Sequence, residues 1–170
     1  MLFRSSLTLD SQKFLLFGDY SIGGKPFRTR LSAHPDLQTI AFDFATIPGP
    51  DGPVNGAALT KEGQILIAGA FASVGSLRTE HVARLMPSGQ IDPTFSVSLG
   101  GRTISAFGAQ ASGIQPTPEG GAMVWGAFDS WNNIPRPGIV KLDRAGNIDI
   151  SFAPQNEPIV VNFKIGRAHV

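Results

Sequence analysis

Two aspartates recur in one setting. Asp92 in Asp92-Pro93-Thr94-Phe95 and Asp149 in Asp149-Ile150-Ser151-Phe152 each stand three residues ahead of a phenylalanine. A recurring carboxylate invites a catalytic or metal-binding reading. An Asp just before a turn-flanked Phe points instead to an Asx-type turn, in which the carboxylate accepts backbone N–H groups. The two also lie one repeat apart, so a ring of repeats distributes them rather than bringing them together. His34 and His81 have no partner at ligand spacing, such as the i, i+4 pair of a zinc helix, and His169 stands beside the last residue. The chain has no cysteine, which excludes disulfides, thiolate chemistry and thiolate metal sites. Gly23-Gly24-Lys25 resembles part of a phosphate loop but lacks the full G-x-x-x-x-G-K-[ST] frame and a following helix. Gly100-Gly101-Arg102 reads as a turn before a strand near Ile104, and no Ser or Thr sits in a G-x-S-x-G elbow.

These residues therefore assign no catalytic, cofactor-binding or metal-ligating role, and no cofactor is expected. The tryptophans divide. Trp125 falls in an apolar run and is expected in the core. Trp131 lies in the polar loop Asp129-Ser130-Trp131-Asn132-Asn133. An exposed aromatic beside amides suits stacking on a sugar ring or contact with a protein, so Trp131, Asn132 and Asn133 are the candidate partner-contact residues. Simple covering of its own loop is the competing role for Trp131.

The elements that position these residues are set by an internal repeat. Glu62-Gly63, Gly69-Ala70-Phe71, Leu85, Gly89, Asp92 and Phe95 return as Glu119-Gly120, Gly126-Ala127-Phe128, Leu142, Gly146, Asp149 and Phe152, all at one constant offset. Similarity at a fixed period marks a unit that needs neighbours to cover its apolar face. In the earlier copy Val54 to Leu59 is a short apolar strand, followed by a turn at Lys61-Glu62-Gly63. Gln64 to Ala68 is apolar at nearly every position, which predicts burial on both faces. Phe71 to Thr79 is a longer link, His81 to Leu85 a third strand, Pro87 to Gln90 a turn, and Ile91 to Phe95 a short fourth strand. A degenerate copy, at a slightly shorter offset, carries Phe14-Leu15-Leu16-Phe17 as its buried strand, with Ala41 where Asp92 stands later.

Composition agrees with strands and turns. Charged residues make up 16%, below the roughly 25% of globular domains, while Gly (20) and Pro (13) are abundant. The class is all-β. Four strands in each repeat suit four-stranded antiparallel propeller blades, favoured over a flat meander or a β-solenoid, whose coils are shorter. Net charge is +1 with scattered basic residues, which argues against a nucleic-acid partner. No apolar run reaches the ~18 residues of a membrane span. Met1 to Leu7 does not have the layout of a signal peptide, since Arg4 interrupts a short apolar stretch.

The composite pattern resembles the delta-60 repeat, a bacterial repeat family classed with the β-propellers. An apolar strand, a D/E-G turn, a strand ending in Gly with a nearby Phe, an [RK]-[LI] strand, a Gly turn and Asp-x-[Ser/Thr]-Phe follow in that order. Here they are Glu62-Gly63, Ile65 to Gly69, Phe71, Arg84-Leu85, Gly89 and Asp92 to Phe95, then Glu119-Gly120, Met123 to Gly126, Phe128, Lys141-Leu142, Gly146 and Asp149 to Phe152. The resemblance implies a propeller within a large secreted or surface-attached bacterial protein, and brings no catalytic residues. A non-catalytic scaffold or binding platform is the expected role, with a protein or glycan ligand held by the loops Phe71–Thr79 and Phe128–Arg136. The alternatives are part of a propeller hydrolase or lyase with its site mostly in other blades, and a purely structural stalk or adhesin repeat.

The expected organisation is a degenerate blade over 1–53, blades over 54–110 and 111–157, and the start of another at 158–164. Three blades do not close a ring, so the rest of its own propeller is an expected partner. Residues 165–170, Ile-Gly-Arg-Ala-His-Val, are what ATC GGA AGA GCA CAC GTC encodes, a string within a common short-read sequencing adapter. They are expected to be read-through, with the biological chain continuing past Phe163.

Overall fold

The computed structural model describes residues 3–8, 14–22, 25–34, 42–43, 49–95 and 110–153, with side chains from residue 49 onward. The expected strand at 158–163, the segment 165–170, Gly100-Gly101-Arg102 and His169 lie outside them.

The described residues are all-β, without a helix. A four-stranded antiparallel sheet runs in order from β1 (Phe3–Thr8) through β2 (Phe14–Ile22) and β3 (Lys25–His34) to β4 (Phe42–Asp43). A second sheet pairs β5 (Val54–Leu59), β6 (Ile65–Gly69) and β9 (Val82–Leu85). Between its last two strands it carries a two-stranded ribbon, β7 (Ser73–Val74) with β8 (Leu77–Arg78). A third sheet repeats that plan with β10 (Gln110–Pro116), β11 (Ala122–Ala127) and β14 (Ile139–Leu142). Its ribbon pairs β12 (Ser130–Trp131) with β13 (Ile134–Pro135). Several small antiparallel sheets of this kind are the build of an incomplete β-propeller.

The internal repeat is visible in the registers. The pairing of the first two strands slips once in every sheet, between Phe3 and Ser5, between Val54 and Gly56, and between Ala111 and Gly113. These are equivalent positions of the three repeats. Past the slip the first two sheets match throughout: Thr8 faces Phe14 as Leu59 faces Ile65, and Phe14 faces His34 as Ile65 faces Leu85. Such a one-residue bulge adds twist and re-aims the strand end, and here it recurs at the same corner.

One expectation needs correction. Ile91 to Phe95 is not a fourth strand: pairing is a single bridge between Leu85 and Ile91, repeated as Leu142 with Ile148. The chain then turns at once, because Asp92 draws the next residues into a hydrogen-bonded turn. The link Phe71–Thr79 is likewise more ordered than expected, since the ribbon β7–β8 occupies it.

The sheets stack face to face. β10 packs on β5 and β6, and β5 in turn lies beside β1, β2 and β3. Strand alternation sorts β6 and β9 onto two faces. Leu66, Ala68 and Val82 join Ala111, Ala122, Val124, Val140 and Leu142 of the third sheet in one core. Ile65, Ile67, Ala83 and Leu85 form another with Val54, Phe71 and Val74. β6 is buried at all five positions, as its continuous apolarity predicts. The stacking is close: a Cβ on Gly56 would lie 2.8 Å from the Cα of Gly113, its own equivalent in the third sheet. Only a missing side chain lets the two backbones approach so nearly.

A positive φ recurs where each third strand begins, at His81 (68°) and Gly138 (74°). A Cβ on Gly138 would meet nothing nearer than the Gly126 carbonyl oxygen, at 3.7 Å, so its substitution tests backbone conformation alone. Gly138→Ala is expected to cost about 1–2 kcal/mol, the left-handed penalty of an L-residue. Urea midpoints of the two proteins measure it.

Candidate functional site

The recurring aspartates form turns. Asp92 Oδ1 accepts Thr94 N–H (2.9 Å) and the Thr94 hydroxyl (2.6 Å), and the Phe95 N–H reaches back to the Asp92 carbonyl oxygen. Asp149 does the same with Ser151 and Phe152. A basic residue eight positions earlier completes each: Arg84 Nε lies 2.9 Å from Asp92 Oδ2, and Lys141 Nζ 3.3 Å from Asp149 Oδ2. The Asx-turn reading of these carboxylates therefore holds for both.

The two copies differ in depth. Arg84 and Asp92 are 4% and 3% exposed, and the guanidinium sits 4.7 Å above the Phe95 ring. Its other donors go to Thr94 Oγ1 and, across to the third sheet, to the Arg144 carbonyl oxygen at 3.0 Å. Gln64 Nε2 adds a further donor to the Asp92 carboxylate at 2.8 Å. Burial pushes the Asp92 pKa up, but the hydrogen bonds from Thr94 and Arg84 outweigh it, and the carboxyl is held below its ordinary value. Both charges are thus engaged in positioning: Arg84 ties its own turn to the neighbouring sheet.

The other candidate is the pair of ribbons. Asp51 anchors the earlier one, accepting the N–H groups of Ala72 and Ser73 and the Ser73 hydroxyl. The Ser73 N–H is the main cause that holds the Asp51 carboxyl below its ordinary pKa. Pro50 bridges to Val74. Val74 points inward and is buried, while Ser76, Leu77 and Arg78 at the tip are exposed. In the later ribbon Asn132 (φ 50°) and Asn133 (φ 61°) make the two-residue turn, with the paired positive φ of a type I′ hairpin.

Trp131 occupies the position of Val74 and is fully buried. Its ring meets Phe128 edge-on at 5.3 Å. The expectation of an exposed stacking face on Trp131 is corrected accordingly: the polar neighbours in the sequence hid the alternation that turns this residue inward. Asn132 is half-buried and Asn133 exposed. The buried Trp131 Nε1, Asn132 Oδ1 and Arg136 Nε have no hydrogen-bond partner among the described residues. Trp125 is half-buried, lying over Gly113, rather than enclosed in the core.

His81 Nδ1 lies 3.2 Å from the Gly69 carbonyl oxygen, a contact that belongs to the sheet corner. Among the described residues no group of three or more His, Asp or Glu is placed to hold a metal ion, and no helix is long and apolar enough to cross a membrane. Sequence reasoning missed two features, the reach of Arg84 to another sheet and the capping by Asp51; both join residues distant in the chain.

No curated protein and no solved structure matches the chain. A family model described as "Domain of unknown function (DUF5122) beta-propeller" matches residues 62–95, the stretch that runs from the first turn of the second sheet to the end of the Asp92 turn, and so ties that sheet to a β-propeller repeat family.

Proposed function

We propose that this chain is a non-catalytic propeller segment of the delta-60 type, a rigid binding platform within a larger bacterial secreted or surface protein. The carrying observation is the contrast within each ribbon. The inward residue, Val74 or Trp131, is buried and held in a core, while the tips present different exposed groups, Ser76-Leu77-Arg78 in one and Asn133 with Pro135 in the other. A fixed frame with variable tips is how loops on rigid scaffolds carry recognition. The repeated acidic and basic pairs, by contrast, are engaged in turns and sheet contacts.

The platform takes a protein or glycan partner at the ribbon tips. With a glycan array as the probe, the full chain is expected to retain signal on one glycan class, and Arg78→Ala with Asn133→Asp to lower it about tenfold, or about 1.4 kcal/mol. Unchanged binding by that double variant removes the tips from the model. Turnover of a glycoside or ester substrate by the purified chain would replace the platform with the enzyme reading.

A further inference from the structure

We propose that the Asp92–Pro93 peptide bond is a self-cleavage site, held uncut by the hydrogen bonds that occupy the Asp92 carboxylate. It is the one Asp-Pro bond in the chain, and it lies inside the turn that ends the second sheet. The carboxylate and the scissile carbonyl belong to the same residue. Attack of an Asp92 carboxylate oxygen on its own carbonyl carbon therefore closes a five-membered anhydride. The carbon–nitrogen bond to Pro93 breaks, and the proline nitrogen takes a proton from solvent acid and leaves as a secondary amine. Water then opens the anhydride. The products are a chain ending at Asp92, with both of its carboxyl groups free, and a chain beginning at Pro93, with one water consumed. The side chain acts as the nucleophile toward its own backbone.

Two features favour the step. Pro93 is exposed, so solvent acid reaches the leaving nitrogen. The Phe95 N–H stands 3.3 Å from the Asp92 carbonyl oxygen, the atom on which negative charge develops during attack. The carboxylate's own partners oppose it. An ionised carboxylate has about four lone-pair sites. Here the Thr94 N–H and hydroxyl engage Oδ1, while Arg84 Nε and Gln64 Nε2 engage Oδ2, so every site has a donor. The charged group that faces the carboxylate is Arg84, from β9. Gln64 and Thr94 are neutral, and Arg144 of the third sheet turns its carbonyl oxygen toward Arg84 while its side chain lies against Gly120. Protonation of Asp92, or loss of Arg84, releases Oδ2. The Asp149 turn is the internal comparison. It repeats the same bonds with Ser151, but Ile150 follows, and its amide lacks the tertiary nitrogen of an X-Pro bond. The labile bond thus coincides with the buried, fully engaged carboxylate and not with the more open one. A cut there severs the chain between the second and third sheets and leaves Phe95, part of their shared core, on the far fragment.

Mass spectrometry of the full chain held at about pH 4, near the ordinary Asp value, is the test. Fragments 1–92 and 93–170 are expected to form slowly from the folded chain. In urea, where the four donors are gone, they are expected about tenfold faster or more. Arg84→Ala is expected to raise the rate about tenfold while circular dichroism still reports a folded chain. Gln64→Ala removes one neutral donor, leaves the ion pair in place and is expected to raise the rate several-fold, which keeps the test open should Arg84→Ala fail to fold. Pro93→Ile, which copies the Asp149 turn, is expected to abolish cutting. Absence of both fragments from the unfolded chain overturns the proposal, as do equal rates for folded and unfolded chain. Trp131→Ala separates the turn from stability at large. If it is cut as fast as Arg84→Ala at the same folded fraction, the carboxylate's partners have no part in the protection and the proposal falls.

Discussion

Trp131→Ala is expected to destabilise the chain by about 3–5 kcal/mol, the range for emptying a large aromatic site in a packed core. The ring has no exposed surface, packs edge-on against Phe128 and belongs to the core that joins the second and third sheets. Truncation leaves a cavity that the ribbon β12–β13 closes only in part, because its turn at Asn132-Asn133 and its pairing to β13 hold the backbone. Trp131→Phe is expected to lose less than half as much. It keeps an aromatic face toward Phe128 and deletes a buried N–H that has no acceptor among the described residues. Urea unfolding followed by circular dichroism gives both values. Equal losses for the two variants would show that the indole itself, and not ring burial, holds the ribbon. For the same reason Trp131 is a poor probe of partner binding, and the exposed tips Arg78 and Asn133 are the ones to alter.

Arg84→Ala is expected to cost a similar amount, about 3–5 kcal/mol, because it strands the buried Asp92 carboxylate. The side chains of that pair are 5% and 4% exposed, and three donors of Arg84 reach Asp92, Thr94 and the Arg144 carbonyl oxygen. Lys141→Ala, at the same repeat position, is expected to cost about 0–1 kcal/mol, since its pair with Asp149 stays in reach of water at 29% and 25% exposure. The comparison keeps the repeat position and varies the burial of the pair together with the cation and its further contacts to Thr94, Phe95 and the Arg144 carbonyl oxygen. Comparable losses at the two positions would mean that the guanidinium's contacts add nothing to the ion pair.

Acid carries the same pair. The Asp92 pKa is lowered in the folded chain, against about 3.9 for an unfolded Asp. Its stabilisation is therefore complete above that value and is lost as pH falls through it toward the folded-state value. Asp92→Asn is expected to be less stable than the parent at pH 7 and to lose less between pH 5 and pH 2. Asp51, Asp143 and Asp149 are lowered in the same direction, so a smaller acid loss persists in that variant.

Much of the architecture was legible because it closes over a few residues. The Thr60 and Thr117 turns are matched bond for bond: each Thr carbonyl oxygen accepts the N–H of the turn glycine, Gly63 or Gly120, and each hydroxyl that of the next residue. The Asx turns at Asp92 and Asp149 close within three residues, and β5 spans the residues its apolar pattern marks out. Type, spacing and alternation settle such features, since every partner lies within one turn or one strand of the other.

Tertiary structure decided what those local pieces face. Trp131 reads as a loop residue among polar neighbours, yet the ribbon turns it inward, at a place that Val74 fills in the sheet before. Arg84 reads as a strand cation, and its third donor lands on a carbonyl oxygen 60 residues away. Apolar runs in β6 and β11 look alike, but one is covered on both faces and the other on one. A strand's alternation names its two faces; only the sheets stacked against it determine which face is shielded from water.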